Sequence, residues 1–282
     1  MLELITDPLY REAALTATMA GLCLGLLGVY IVSRRMVFIS AALAQTAALG
    51  VTISFIAIGF FGFAGVVTDI LPPVMAILLT FIVVAGLLAV EGRPRISRDA
   101  VLGIAFIIPM ALILLLLPLF PQELHQIDAV ISGTAVMVEP TDMYAIAIAT
   151  VVLVGIQIYG FRGFVFSSLD PVVAKTQGVP VRLLDGLLFG SIALMTGLTA
   201  RALGPLPTFA LTVLPAIGAL GLTVGLKWVF VVASITGATA GFMGYYLAYL
   251  ADFPVGASQT LTAAALALLL RAIGFAHRQV GR

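Results

Sequence analysis

Long uncharged stretches alternate with short charged ones along the whole chain. Nine long windows contain no Asp, Glu, Lys or Arg: 13–33, 36–68, 70–90, 100–122, 143–161, 186–200, 202–226, 228–251 and 253–270. A helix needs about 20 apolar residues to cross the roughly 30 Å hydrocarbon core of a bilayer, and most of the windows are close to that length. The pattern therefore predicts a polytopic membrane protein.

The spans are predicted to be helices rather than strands. Hydrocarbon supplies no partner for backbone N–H and C=O groups, and a strand of a membrane barrel would alternate at every second residue, which 111–117 (ALILLLL) does not. We predict an all-α, polytopic membrane helical bundle of about nine transmembrane segments (eight to nine). The predicted helices cover 14–32, 42–62, 72–90, 101–120, 143–161, 183–203, 206–226, 228–249 and 256–274.

The few basic residues predict the orientation of these spans, because cytoplasmic loops carry an excess of Lys and Arg. With the N-terminus outside, only Arg11 and Arg201 fall on the outer side and the other 12 of the 14 basic residues fall inside. One span more or fewer would remove this bias. We therefore expect the N-terminus outside and the C-terminus in the cytoplasm, with no cleavable signal peptide ahead of the first span.

Composition narrows the class of protein further. Only 10% of the residues are charged, against about 25% in soluble domains, which excludes a soluble enzyme. The balance of 14 basic and 13 acidic residues leaves no basic face for nucleic acid, and a single cysteine makes no internal disulfide. The polar interruptions are short, so we expect one transmembrane domain over 1–282.

Chemistry for energy coupling is missing from the chain. The phosphate-loop pattern G-x-x-x-x-G-K-[ST] does not occur, and the only lysines are Lys175 and Lys227. Every acidic residue falls at a predicted span boundary or in a loop, whereas proton-coupled carriers keep titratable groups within the membrane. The energy for any transport is therefore expected to come from another subunit.

The inner segment 162–182 is the most informative stretch between two spans. Ser167 or Ser168, followed by a proline at the first turn, predicts the start of a short helix that ends near Gly178. This helix could be a simple connection, or it could dock into a groove on a motor subunit.

Glycines recur at a spacing of four, which lets helix backbones approach closely in lipid. The pairs are Gly21/Gly25, Gly186/Gly190, Gly221/Gly225 and Gly237/Gly241. We expect each pair to lie at a helix–helix contact.

Four stretches carry a set of motifs in a fixed order. They are GVYIVSRRMVFISAALAQTAALG (28–50), ISGTAVMVEPTDM (131–143), SLDPVVAKTQGVPV (168–181), and ALGPLPTFALTVLPAIGAL (202–220) with ADFPVGASQTL (251–261). Together they resemble the metal-type permeases of ATP-binding-cassette (ABC) importers, the zinc, manganese and iron uptake family of ZnuB- and MntB-like proteins.

The resemblance implies a multi-pass permease subunit of the bacterial inner (plasma) membrane that imports a divalent metal ion, Zn²⁺ or Mn²⁺. Its implied partners are a cytoplasmic ABC ATPase, a periplasmic or lipoprotein metal-binding protein, a second permease copy in a homo- or heterodimer, and membrane lipid. ATP and Mg²⁺ are then bound by the ATPase, and this chain is expected to be no enzyme and to bind no cofactor.

The third stretch is similar to the family's cytoplasmic motif S-[FL]-D-P-x-x-A-x-x-x-G. The resemblance makes 162–182 the cytoplasmic coupling segment that meets the ATPase. Its matching positions are Asp170, Pro171, Ala174 and Gly178.

The second span departs from the family pattern G-D-x-x-x-H, in which the Asp and His are metal contacts on the translocation pathway. Ala41 and Gln45 stand at those two positions, and we expect them to line the pathway together with Thr46 and Pro215. Zn²⁺ strongly prefers Cys, His and carboxylates, so a glutamine alone is a weak ligand. Three explanations stay open: the metal passes without a site here, another subunit supplies the site, or the transported substrate is different.

Two alternatives to a metal-ion permease follow from that departure. One is an ABC permease for a non-metal or chelated-metal substrate, and the other is a non-transporting or partner half of a permease heterodimer. Separately, Glu123, His125 and Asp128 in the outer loop have suitable side chains for a metal-collecting patch, although solvated interface residues would look the same.

Overall fold

The computed structural model describes residues 8–62, 65–90, 97–117, 138–222 and 225–280. Over these residues the elements are all α-helices, as predicted. They are α1 (Pro8–Ser33), α2 (Phe38–Phe61), α3 (Val66–Val90), α4 (Arg98–Leu116), α5 (Pro140–Tyr159), α6 (Phe161–Leu169), α7 (Pro171–Thr176), α8 (Val181–Leu203), α9 (Pro205–Leu220), α10 (Leu226–Ala251) and α11 (Val255–Val280).

Within the described ranges, eight helices are long and apolar enough to cross a membrane. The predicted span 206–226 corresponds to α9, which has 16 residues and is shorter than the others. At 1.5 Å per residue, α9 covers about 24 Å, less than the roughly 30 Å hydrocarbon core. The count of eight long helices agrees with the predicted eight to nine segments.

Although α9 is short, it carries the chain from one face of the bundle to the other. Near the end of α8, Arg201 pairs with Asp142 in the first turn of α5. Lys227, in the first turn of α10, lines the same groove as Arg162, which follows the end of α5. The start of α10 therefore lies on the same face as the end of α5. We call the face at the start of α5 the Arg201 face and the opposite one the Arg34 face. Assignment of the Arg34 face to the cytoplasm stays a prediction from the charge bias.

Helix α1 lies at the centre of the bundle and packs tightly against α10. A Cβ atom added at Gly21 would lie 2.1 Å from the carbonyl oxygen of Gly237, and one added at Gly25 would lie 2.4 Å from that of Ala233. Such contacts exclude any side chain, so the two backbones approach as closely as the glycine spacing predicts. In contrast, a Cβ at Gly186 or Gly225 would meet nothing within 4 Å, so these two glycines make no close helix contact.

Large apolar side chains cover the outer helices. On α4, for example, Ile107 is 64% exposed and Leu115 is 65% exposed. A soluble protein does not display continuous apolar surfaces of this kind, whereas lipid tails cover them without cost. The peripheral helices are therefore suited to a bilayer, whereas α1, α2 and α8 are the most shielded of the long helices.

Candidate functional site

A cavity of about 350 Å³ lies between α2, α4 and α9. Ala41 and Gln45 of α2 line it on one side, with Phe106 and Met110 of α4 and Phe209 of α9 on the others. Ala41 and Gln45 share one helical face because they are four residues apart. We call this space the Gln45 cavity, and it contains both positions at which the resembling family keeps its metal contacts.

The chemistry of the Gln45 cavity is almost entirely apolar. Its lining holds no charged side chain, and Gln45 contributes the only side-chain nitrogen and oxygen. Among the described residues no group of three or more His, Cys, Asp or Glu side chains could hold a metal ion. The cavity can offer a cation one amide oxygen and one thioether, a weak set that would not retain it. Weak binding is compatible with passage, since an ion on a pathway must also leave.

Thr46 and Pro215, also predicted on the pathway, are not among the residues that line this cavity. The Thr46 hydroxyl lies 2.8 Å from the carbonyl oxygen of Ala42 and 3.0 Å from that of Ala105, so it joins α2 to α4 within the cavity wall. Pro215 is buried in the middle of α9. The outer-loop candidates Glu123, His125 and Asp128 lie outside the described residues.

The predicted coupling segment contains a short helix, α7, that begins at Pro171. Its capping side chain is Asp170, whose carboxylate accepts a hydrogen bond from the N–H of Val173 at 3.0 Å. The prediction that Ser167 or Ser168 caps this helix is therefore wrong. Both serines belong to the preceding helix α6, where their hydroxyls donate to the carbonyl oxygen of residue 164.

Helix α7 is held on one side and open on the other. Ala174 is completely buried, while Val172 is 72% exposed and Val173 is 40% exposed. At the far end Gly178 has φ +79°, a left-handed conformation that favours glycine, and a Cβ there would meet nothing within 4 Å. The segment thus presents an apolar edge outward and turns sharply into α8.

Arg34, just after α1, anchors this segment to the bundle. Its Nε donates to the Ser168 hydroxyl at 3.0 Å, and its Nη2 lies 3.4 Å from the Ser167 hydroxyl and 2.6 Å from Asp185 Oδ1. The contact with Asp185 is an ion pair by distance, although its angles do not meet hydrogen-bond geometry. The guanidinium also lies 5.4 Å from the centre of the Phe189 ring, within cation–π range. Arg34 therefore joins α1, α6 and α8 at one point.

A second buried arginine joins two spans on the Arg201 face. Arg201 of α8 contacts the carboxylate of Asp142 and lies 3.4 Å from that of Glu139. The side chain of Asp142 is 6% exposed and that of Glu139 is 46% exposed. This cluster fixes the end of α8 to the start of α5.

The sequence did not single out Arg34 and Asp185 as a pair. A signal was nevertheless present, because one is basic, the other acidic, and both were predicted at span ends on the same side of the membrane. Only the fold shows that these two span ends are neighbours, since more than a hundred residues separate them in the chain.

A family model described as the ABC 3 transport family matches residues 6–274, nearly the whole chain. The chain belongs to this family. It is similar to the manganese transport system membrane protein MntC of Listeria monocytogenes, with 26% identity over 253 residues, which cover 90% of this chain and 86% of that protein. It is also similar to the manganese import system permease protein ScaB of Streptococcus gordonii, with 27% identity over 260 residues, which cover 92% and 89% of the two chains.

A solved structure of PsaBC from Streptococcus pneumoniae in complex with Fab has the same fold. The TM-score is 0.80 at 24% identity, over 95% of this chain and 92% of that one. Family membership makes this ABC-3 chain the membrane subunit of an ABC transporter, with ATP hydrolysis in a separate subunit and a substrate-binding partner. It is a multi-pass integral protein of the bacterial plasma membrane.

Proposed function

We propose that this ABC-3 permease imports a divalent metal ion, with Mn²⁺ the first candidate and Zn²⁺ the second. The observation that carries the proposal is the similarity, over about nine-tenths of the chain, to relatives named as manganese transport proteins. In the proposal, a dimer of permease chains within membrane lipid alternates between outward and inward access. A separate ATPase drives it, and a periplasmic or lipoprotein binding protein delivers the metal.

The proposed pathway runs past Ala41 and Gln45. Carboxylate, carbonyl and water oxygens suit Mn²⁺, whereas Zn²⁺ is bound best by imidazole and thiolate, so the amide oxygen of Gln45 favours Mn²⁺ of the two. The cavity is too poor in ligands to trap the ion, which suits a step of passage rather than storage. Thr46 and Pro215 are assigned a supporting role, because they shape α2 and α9 from behind the lining.

The proposed coupling site is the edge of α7. Asp170 and Pro171 start this helix, Ala174 fixes it to the bundle, and Gly178 forms the turn that follows, so the exposed Val172 edge keeps a defined position. An exposed apolar edge of one or two turns is the kind of surface that fits a groove on a partner protein. Arg34 would pass a displacement of this segment to α1 and α8.

A pair of glycine variants tests the coupling site. Gly178→Leu strains a left-handed turn beside α7, and Gly62→Leu strains a similar turn (φ +65°) after α2, far from α7; both sites are open. With the cognate ATPase in proteoliposomes, we expect Gly178→Leu to lower ATP-driven Mn²⁺ uptake about tenfold, as a loss of about 1.4 kcal/mol in docking would do. Gly62→Leu should retain uptake. Equal uptake by the two variants would remove the coupling role.

A second function, import of a chelated metal, is favoured by the apolar lining of the Gln45 cavity. A chelate carries its own ligands and presents a larger, less charged surface than a bare ion. It therefore packs better against the three phenylalanines of the lining, Phe38, Phe106 and Phe209. The cognate binding protein separates the two functions: affinity for free Mn²⁺ or Zn²⁺ supports the ion, and affinity for a complex alone supports the chelate. Recovery of a second, distinct permease with the complex would instead support the heterodimer.

A double substitution tests the pathway itself. Ala41→Asp with Gln45→His places two strong ligands four residues apart on one helical face, so it should create a Zn²⁺ site in the Gln45 cavity and raise the Zn²⁺ affinity above that of the wild type. Calorimetry on the purified chain measures this directly. If the cavity lies on the pathway, the variant should also change the rate of Mn²⁺ transport, because the ion would then meet two strong ligands on its way through.

A further inference from the structure

A second and larger cavity, of about 830 Å³, opens on the Arg34 face between α1, α5, α6 and α10. Its mouth carries two cations, Arg162 and Lys227, and no acidic side chain lines it. Neither cation forms an ion pair with a described residue, and both are exposed. We call this cavity the Arg162 groove. An anion at its mouth would meet two unopposed positive charges.

The wall of the Arg162 groove contains two buried polar side chains without partners. Gln157 is 2% exposed and Tyr30 is 1% exposed, and both line the groove. Within the described part of the chain, the amide nitrogen and oxygen of Gln157 have no hydrogen-bond partner. The Tyr30 hydroxyl has none there either. Buried polar groups are nearly always satisfied, so these atoms indicate that a ligand with hydrogen-bonding groups completes the wall.

Above the polar part, the groove is apolar and about half a bilayer deep. Leu22 and Leu26 of α1 and Ile235 of α10 line it. From Lys227 to Ile235 the helical rise is about 12 Å, close to the depth of one leaflet of a roughly 30 Å core. The groove therefore offers room for an acyl chain directly above a cationic mouth.

Aromatic side chains place the mouth at the membrane boundary. Tyr159 is 98% exposed and Trp228, next to Lys227, is 63% exposed. Exposed tyrosine and tryptophan are typical of the interface between hydrocarbon and water, where lipid headgroups lie. The two cations are thus at headgroup level.

From these observations we propose that the Arg162 groove is a binding site for one anionic phospholipid. Its phosphate lies between Arg162 and Lys227, its ester and headgroup oxygens approach Gln157 and Tyr30, and one acyl chain extends along the apolar wall. The lipid would pack directly against α6 and against Val179 and Pro180, which flank α7 within the coupling segment. The site is independent of the transported substrate.

Native mass spectrometry of the full chain tests the site with defined lipids. The purified protein is delipidated and incubated with phosphatidylglycerol, phosphatidylcholine or inorganic phosphate. We expect one phosphatidylglycerol molecule to remain bound under conditions that remove phosphatidylcholine, with no displacement by inorganic phosphate. Equal retention of the two lipids, or displacement by phosphate alone, would overturn the proposal.

Matched charge variants locate the bound lipid. Arg162→Gln with Lys227→Gln should weaken phosphatidylglycerol binding about 25-fold, since each cation near an anionic lipid contributes about fivefold. Lys175→Gln with Arg182→Gln removes the same charge from exposed positions outside the groove and should leave binding unchanged. An equal loss in both pairs would mean a general surface attraction and would refute the site.

A variant that fills the groove provides a measurement that does not depend on charge. Ser234 lines the groove and is partly exposed, so Ser234→Phe should exclude the acyl chain while both cations remain. We expect it to lose the tightly bound lipid and to elute in size-exclusion chromatography like the wild type. Full retention of the lipid by a folded Ser234→Phe protein would count against the proposed position.

Discussion

The two buried arginine clusters have similar chemistry but connect different parts of the molecule. Arg34 and Arg201 are 11% and 9% exposed, and each contacts a buried aspartate. Arg201 has a second carboxylate and joins two spans. Arg34 contacts two serine hydroxyls and an aromatic ring instead, and it joins α1 to α6, the helix that precedes α7 in the coupling segment.

A buried ion pair can therefore serve stability alone, or it can both stabilise the fold and transmit a movement of the coupling segment to the spans. A cluster of two carboxylates around one arginine fixes two helix ends in a single arrangement. A cluster of one carboxylate and two hydroxyls also compensates the charge of the arginine. It attaches a short peripheral helix, however, through hydrogen bonds to neutral hydroxyls, which are weaker than a second ion pair.

The largest effect is expected from Arg34→Met. This substitution leaves Asp185 buried without a cation, which costs about 3–5 kcal/mol of the free energy of unfolding. It should also abolish metal-stimulated ATP hydrolysis, because α6 is released from α1. Thermal unfolding in detergent and ATPase assays of the reconstituted complex measure the two effects. Arg35→Met, at the exposed neighbouring arginine, is the control and should change neither.

A rescue variant separates stability from transmission at the same site. Adding Asp185→Leu to Arg34→Met removes the stranded charge and should restore most of the thermal stability, since apolar replacement of a buried pair is often neutral. Coupling should remain lost. Recovery of both properties together would show that Arg34 acts only through stability.

The next effect is expected from Arg201→Met. Asp142 loses its cation, but Glu139 can turn to solvent, so we expect a loss of about 3 kcal/mol, at the lower end for a broken buried pair. Metal-stimulated ATP hydrolysis by the folded variant should stay at the wild-type value. A loss of this ATPase activity as strong as in Arg34→Met would erase the distinction between the clusters.

A moderate effect is expected when the two serine hydroxyls that face Arg34 are removed. Ser167→Ala with Ser168→Ala eliminates one hydrogen bond of 3.0 Å and one of 3.4 Å to a charged group. The expected loss is about 1.5 kcal/mol, with a partial decrease in metal-stimulated ATPase activity. Unchanged activity at lowered stability would restrict these hydroxyls to a packing role.

The smallest effect is expected from Glu139→Gln. This carboxylate is 46% exposed and 3.4 Å from Arg201, so water and salt already screen the pair. The free energy of unfolding, followed by the melting temperature, should change by less than about 0.5 kcal/mol. Raising the salt concentration should add little to this change. A loss comparable to that of Arg201→Met would mean that Glu139, rather than Asp142, holds the arginine.

Much of the fold could be predicted because each span repeats one strong signal, a long apolar window between charges. The helices α1, α5 and α10 correspond to the predicted 14–32, 143–161 and 228–249, with ends that differ by one to six residues. The short coupling helix was also predicted, but its cap was assigned to a serine, because serine and aspartate are equally good caps and only backbone geometry distinguishes them.

The rest depended on contacts between distant parts of the chain. Arg162 marks the end of the apolar window near Gly160, but nothing in the polarity of the following residues marks the break at Gly160 and the separate helix α6. The pairing of Arg34 with Asp185 and the Arg162 groove both depend on which span ends are neighbours, which periodicity does not encode. The Gln45 cavity was foreseeable only through the family motif that its residues replace.

In the proposed function, this ABC-3 chain carries a divalent metal ion across the membrane when its partner ATPase hydrolyses ATP. The most direct measurement is uptake of radioactive manganese into proteoliposomes that contain the permease and its ATPase, with the loaded binding protein supplied on the side opposite the ATPase. We expect uptake that requires ATP and that falls about tenfold in Gly178→Leu but not in Gly62→Leu. No ATP-dependent uptake of Mn²⁺ or Zn²⁺ by a complex that hydrolyses ATP would contradict it.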